Sequence, residues 1–373
     1  MPQVVVAVIG AGNVGCALAA DLAMRGARVQ LCTRSEARLA PIRDAGGITV
    51  SGAVSGSTAI SMLTTSVGEA VAGADVVAVT VPTPALPYYA GALAEGCSTD
   101  QLLWLNPGHS GGALFLAAEF RRLGGPRGLP ICQLSTASHG SRMTGPASVG
   151  VFRLSPAALA AFPADRFDEC FEQVDALLPD QFTGAETVLD VDLMNINAVM
   201  HPAQMVCNAS WIQATQGDFA VYQEGTGPAV AAIIDAVDTE RVAVAERLGV
   251  PMTPFVEILR QAGYTTDEAT RTGRAYLALQ AGDAIRGVKA PPTLDHRYLH
   301  EDVGWGLVPW VGLAEATAVA TPTMDALITL AGTINAVDYR STGLTLHSMG
   351  LHDMSPEQIA AYVRKATPPT RSQ

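Results

Sequence analysis

Apolar positions follow two regimes along the chain. In the first half they come as short unbroken runs. From about residue 189 they recur every three to four residues instead. Residues 4–9 (VVVAVI) have no polar side to turn toward water, which predicts a central parallel strand covered on both faces. Further strand candidates at 28–32, 59–63, 75–81, 101–105 and 130–134 follow at βα spacing, with helical stretches at 16–25 and around 67–72 between them. Right-handed crossovers turn such a series into a doubly wound sheet whose ligands gather at the carboxyl ends of the strands. Val81, Pro82 and Asn106 then fall on the ligand-facing rim. The second half predicts helices at 192–216, 228–248, 254–262, 268–281, 309–319 and 323–335. The expected class is α/β: a doubly wound parallel sheet over residues 1–188, then an all-helical domain over 189–373. Residues 366–373 read as a frayed end.

The first strand runs directly into Gly10-Ala11-Gly12-Asn13-Val14-Gly15, which opens a helix that Gly26 stops. A glycine at position 10 permits a tight turn, one at 12 lets the main chain approach a pyrophosphate, and one at 15 lets helix and strand pack closely. The first-turn amides of that helix, with the positive end of its dipole, suit a diphosphate. Strand, glycine loop, helix and second strand in this order predict a Rossmann dinucleotide-binding unit. At the end of the second strand, an NAD site usually carries a carboxylate for the ribose 2′-hydroxyl. Here Thr33-Arg34-Ser35 comes first and Glu36 only after it. Arg34 could pair with a 2′-phosphate while Thr33 and Ser35 donate to it, which favours NADP(H) over NAD(H). Arg34 could otherwise be a solvated charge at a helix start.

Charge narrows the partners. A net charge of −12 and a pI near 5.0 argue against nucleic acid or an anionic membrane, so the expected partner is a small molecule. Six cysteines without metal spacing fit reduced thiols and a cytoplasmic setting, and no signal peptide or metal site is apparent. Pro82, Pro84 and Pro87 interrupt the longest later uncharged stretch, against a membrane helix. A mean hydropathy of +0.24 is high for a soluble chain; Ala-rich helices account for part of it, and a homodimer interface on the helical domain could account for more.

Two segments carry candidate chemistry. In residues 194–202 (MNINAVMHP), Asn197 and His201 share one helix face that is otherwise apolar. Such a histidine is either a general acid/base with a polar neighbour or a hydrogen-bonded core residue. Residues 296–309 (HRYLHEDVGWGLVP) concentrate charge and aromatic rings in a weakly charged chain.

On these elements the chain resembles the octopine/nopaline (opine) dehydrogenases. The resemblance rests on the Rossmann unit, on N-x-x-x-H-P at Asn197, His201 and Pro202, and on R-Y-x-x-E-D-V-x-x-G-L-V-P at Arg297 to Pro309. It implies an NAD(P)H-dependent oxidoreductase that condenses a 2-oxo acid with an amine and reduces the imine. It also implies His201 as catalytic acid/base paired with Asp302 and Arg297 as the clamp for the oxo acid's carboxylate, while Asn197, one turn from His201, could bond substrate or the carboxamide. A carboxylate on one ring nitrogen would fix the tautomer and favour imidazolium, leaving the other nitrogen to donate. Family members tend to carry Glu-Thr and then Tyr-x-Cys-Arg near the sixth strand, whereas this chain has Ser135-Thr136 and then Arg142. Thr136 and Arg142 are retained as substrate-binding candidates. The missing Glu casts doubt on an arginine-like amine partner. His109, in the glycine-rich stretch after residue 106, lines the substrate cleft or is exposed. Two other readings are a ketone or imine reductase on the same scaffold and a non-catalytic cofactor-binding regulator.

Overall fold

The computed structural model describes residues 3–367, so most of the stretch expected to fray lies outside the described residues. The chain separates into two compact units. The first runs to Val191 and is rejoined from Ala361, and the second runs from Asp192 to Ala360.

In the first unit, β1 (Val5–Ile9) lies between the parallel strands β2 (Arg28–Cys32) and β6 (Val76–Val79). The sheet extends through β5 (Met62–Thr64) on one side, and through β7 (Leu102–Leu105) and β8 (Ile131–Leu134) on the other. Beyond β8 come β11 (Ala157–Phe162), which is antiparallel to β8, and β12 (Phe182–Gly184). The sheet is thus doubly wound, with the two strands at one edge, β11 and β12, running antiparallel to the rest. Two expected strands shift. The strand placed at 59–63 forms at Met62–Thr64, where it reaches β2. The strand placed at 75–81 ends at Val79, because Thr80 turns its hydroxyl onto the carbonyls of Ile9 and Gly10, both at 3.1 Å.

A second sheet, in the order β4 (Gly56–Thr58), β3 (Ile48–Gly52), β10 (Ser148–Leu154), β9 (His139–Gly145), has no counterpart in the sequence expectation. Its strands are short, glycine-bearing and polar on one side, so no apolar run marks them. Their inward residues Val50, Val149 and Val151 join the core that holds Ala17, Leu18 and Leu22. The helix Asn13–Met24 is therefore covered on two sides, and every residue from Gly15 to Leu22 is buried. A helix buried all round reads as apolar all round.

The second unit is helical, with a single isolated β-bridge among its described residues. The helix expected at 192–216 breaks at Asn195, whose Oδ1 accepts the Asn197 N–H at 3.2 Å and caps the helix Ile196–Cys207. It breaks again at Asn208 before Ala209–Thr215. The helix expected at 268–281 splits around Gly273, whose φ of +66° no continuous helix accommodates. Residues 296–309 fold as a helical turn (Arg297–His300), a π-helical turn (Val303–Leu307) and the start of the helix Val308–Ala316. Among the described residues no helix is long and apolar enough to cross a membrane. The return to the first unit at Ala361 corrects the assignment of everything after 189 to the second domain. Its anchor is Tyr362, fully buried, with its ring 5.3 Å from that of Phe162 and under the guanidinium of Arg121.

The buried helix Asn13–Met24 contains one carboxylate, Asp21. His139 Nε2 meets it at 3.1 Å and Arg25 Nε donates to it at 2.8 Å. The other nitrogen of His139 bonds to Ser138 Oγ at 2.7 Å, and Ser138 in turn holds both ends of the Asn106 amide. A continuous polar chain thus ties the helix to the loop after β7. Burial alone would raise the Asp21 pKa, but the bonds from His139 and Arg25 outweigh it and leave the group below its usual value. A depressed folded pKa means the stabilisation is full above the unfolded value of about 3.9 and is lost as pH falls through the folded one. Asp21→Asn should therefore cost about 2 kcal/mol at neutral pH in urea unfolding, and the deficit should shrink in acid. An equal deficit at both pH values contradicts this role.

Candidate active site

Gly10 turns the chain at φ +117° as its N–H bonds the Cys32 carbonyl at 2.7 Å. A Cβ on Gly15 would lie 1.7 Å from the Gly10 oxygen, so the helix can start this close to the strand only with glycine there. At Gly12 the opposite holds: beyond its own chain neighbours, no atom lies within 4 Å of where a Cβ would stand. Space beside the main chain is thus open for phosphates. No side chain caps the helix at Gly12, and its first turn, from Asn13 and Val14, carries no acidic residue. These features fit a dinucleotide diphosphate. Asn13 adds something unforeseen, because its Oδ1 accepts the Met143 N–H at 2.9 Å and ties β9 to the glycine loop.

At the end of β2, Thr33 is buried and Ser35 occupies the N-cap position of the helix Glu36–Asp44. Arg34 is exposed, and its guanidinium lies 5.6 Å from the centre of the Tyr88 ring. The first carboxylate after the strand, Glu36, is engaged by Arg43 at 2.5 Å. Val81 is buried just past β6 and Pro82 is exposed beside it. The expectation that Asn106 faces the cofactor needs correction. Its side chain is fully buried and held by Ser138, so it shapes the loop from within. His109 is 6% exposed, with φ +48°, which removes the exposed alternative. Thr136 is half-buried in the turn after β8, and Arg142 stands exposed on β9, opposite Gly150. Ser135 exchanges bonds with Ala158: its N–H donates to the Ala158 carbonyl and its Oγ accepts the Ala158 N–H.

The second unit brings His201 and Asp302 together. His201 Nδ1 and Asp302 Oδ2 are 2.7 Å apart, and both residues are buried. The π-helical turn after Asp302 packs on the His201 helix at Gly306, where a Cβ would come within 2.7 Å of the Ala198 Cβ. That contact sets the approach of carboxylate to imidazole. The Tyr298 ring stacks on the imidazole, with centroids 3.6 Å apart and planes at 10°. His296 caps the turn Arg297–His300, its Nδ1 accepting the Tyr298 N–H at 3.2 Å. Burial, aided by the charge of Arg297, pushes the His296 pKa down and suits that acceptor role. Asn197 lies half-buried in the first turn of the same helix, one turn before His201. Arg297 donates from Nε to Glu301 at 2.8 Å and adds an Nη2 contact, yet its side chain remains 53% exposed. The Glu301 pairing was not anticipated.

Tyr222 was missed altogether. Its hydroxyl lies 3.2 Å from His201 Nε2 and also bonds to Tyr298. It sits in a segment without periodicity, and a long-range turn brings it to the site. Gln204 donates to Thr226 Oγ1 at 2.8 Å, Thr226 donates to the Val221 carbonyl at 2.9 Å, and Asn208 donates to the Gly225 carbonyl at 2.8 Å. Gln204 and Asn208 follow His201 along its helix, so that helix presents the imidazole and also pins the turn that carries the phenol.

Comparison with known proteins agrees with this architecture. Residues 184–335 match the family described as NAD/NADP octopine/nopaline dehydrogenase, alpha-helical domain, and residues 5–103 match NADP oxidoreductase coenzyme F420-dependent. The chain is 35% identical to an opine dehydrogenase of Arthrobacter sp. (strain 1C) over 362 residues, 96% of this chain and 98% of that one. An octopine dehydrogenase solved with NADH and agmatine aligns with a TM-score of 0.80 at 20% identity, covering 100% of both chains. A yersinopine dehydrogenase with NADP+ bound aligns with a TM-score of 0.74 at 16% identity, covering 97% of this chain and 98% of that one. A glycine loop shaped for a dinucleotide, a helical second unit and this extent of identity show that the chain belongs to the octopine/nopaline (opine) dehydrogenase family of NAD(P)-dependent oxidoreductases.

Proposed function

We propose that the protein condenses a 2-oxo acid with an amine and reduces the product to a secondary amine, with NADPH as the preferred reductant and His201 as general acid/base. The observation that carries this reading is the 2.7 Å contact between His201 Nδ1 and Asp302 Oδ2. Asp302 fixes the ring's orientation and tautomer, so Nε2 is the nitrogen that exchanges a proton with the reacting groups. The amine adds to the keto carbon and the resulting hydroxyl must leave as water. His201 supplies the proton that makes it a leaving group. A reduced nicotinamide held at the glycine loop would supply the hydride chemistry that reduces the imine. Arg297 holds the oxo acid's carboxylate with the edge of its fork that Glu301 leaves open. Asn197, one turn before His201, bonds substrate from the same helix face. Thr136, Arg142 and His109 remain the first unit's candidates for substrate contact.

Octopine dehydrogenase has been solved with arginine, agmatine and pyruvate. By the family resemblance Ser135 falls where basic-amine users carry Glu, and its hydroxyl is engaged with the Ala158 main chain. The amine partner here therefore lacks a cationic side chain. Preference for NADPH rests on exposed Arg34 and on Glu36 being engaged by Arg43.

Replacing His201 by Ala, or Asp302 by Asn, should lower kcat for condensation about 10²- to 10⁴-fold while the NADPH Kd changes by less than about threefold. Parallel loss of cofactor binding in both variants contradicts the assignment. Arg34→Ala should weaken NADPH binding at least about tenfold and leave NADH nearly unchanged, measured by fluorescence titration; equal weakening excludes recognition of the 2′-phosphate at this residue. Arg297→Lys keeps the charge but loses the fork. It should raise KM for the oxo acid about tenfold or more with little change in KM for the amine, and an unchanged oxo-acid KM removes Arg297 from that role.

A further inference from the structure

Asp302 takes one nitrogen of His201, and Tyr222 takes the other. The Tyr222 hydroxyl lies 3.2 Å from Nε2 and bonds in turn to Tyr298, whose ring covers one face of the imidazole. We propose that Tyr222 is a further catalytic residue, the group through which His201 delivers its proton to the substrate. The proposal rests on the reading of His201 and Asp302 as the acid/base pair.

Three features of the site support it. The nitrogen that must exchange the proton is the one that faces the phenol. Burial of Tyr222, then the neighbouring Tyr298, Tyr264 and Asp302, pushes its pKa well above the ordinary tyrosine value, so it stays protonated and able to donate. The half-buried Tyr298 bonds the phenol and, with Gln204 and Thr226 pinning its turn, leaves it little freedom. The groups facing the relay are thus His201 from its helix, Tyr298, His296 and Asp302 from the segment 296–302, and Tyr264.

The step balances. The Tyr222 O–H proton moves to the hydroxyl of the amine adduct. The C–O bond breaks with its electron pair, which leaves as water, and the nitrogen lone pair forms the C=N bond. The proton on His201 Nε2 moves to the Tyr222 oxygen, and Asp302 steadies the ring throughout. His201 then recovers a proton from solvent. Net transfer is one proton from His201 to the departing oxygen, with no change of oxidation state.

The test uses the full-length enzyme with NADPH, a 2-oxo acid and an amine. Tyr222→Phe keeps the ring and removes only the hydroxyl. Its kcat should fall about 10²-fold, with the NADPH Kd and both KM values within about threefold of wild type. The double variant with His201→Ala should be no slower than His201→Ala alone, because the two groups act in one relay. A 3,5-difluorotyrosine at 222 retains the hydroxyl and gives up its proton more readily, so its kcat should recover to within about threefold of wild type. A Tyr222→Phe kcat within about twofold of wild type, losses that multiply in the double variant, or a fluorotyrosine enzyme as slow as Tyr222→Phe overturns the relay. Failure of the underlying reading looks different: His201→Ala would then keep its activity whatever Tyr222 does.

Discussion

One short hydrogen bond between an imidazole and a carboxylate organises the second unit. His201 and Asp302 are far apart in sequence and both are buried, which is costly for polar side chains unless each finds a partner. Much of the local fold serves that pairing. Gly306 lets a π-helical turn press against the His201 helix, Asn195 caps that helix by accepting the Asn197 N–H, and the stacked Tyr298 ring fixes the imidazole plane. π-Helical turns cost regular hydrogen bonding and tend to appear where function requires an unusual approach of side chains. Here the turn begins directly after the carboxylate it positions.

The first unit solves a parallel problem with a different polar chain. Asn106, Ser138, His139, Asp21 and Arg25 run from the loop after β7 to the last turn of a helix with no solvent-facing side over most of its length. None of them is needed to explain dinucleotide binding at the glycine loop. Together they fix where β9 and the loop stand relative to the helix that opens the loop. Asn13 repeats the logic at the helix start by holding Met143. A buried, fully partnered network of this kind favours one arrangement over near alternatives, because each half-made version leaves a polar group stranded.

What could be read from the sequence follows from this physics. The glycine loop, its two strands and the helical second half announce themselves by local pattern, since each is defined within a few residues of itself. The motif around Arg297 and Asp302 was legible through family resemblance, and the structure brings Asp302 to His201. The second sheet was not legible, because its strands bury only one side and carry glycine and serine where an apolar run would be expected. Asn106 was assigned to the ligand side of its loop because strand-end position says nothing about which way a side chain turns. Tyr222 and His139 carry no spacing signal at all, and each reaches its partner only through tertiary packing. Glu301 was visible in the motif, but its pairing with Arg297 needed the helical turn to be built first.

The most direct test of the central claim is NADPH oxidation by the wild-type enzyme with a panel of 2-oxo acids, each assayed alone and with neutral or basic amines, with the product identified by mass. The account predicts turnover that requires both substrates, a secondary amine as product, and a preference for amines without a cationic side chain. Full turnover with a lone carbonyl compound, giving an alcohol, would contradict it and make the protein a simple carbonyl reductase on the same scaffold.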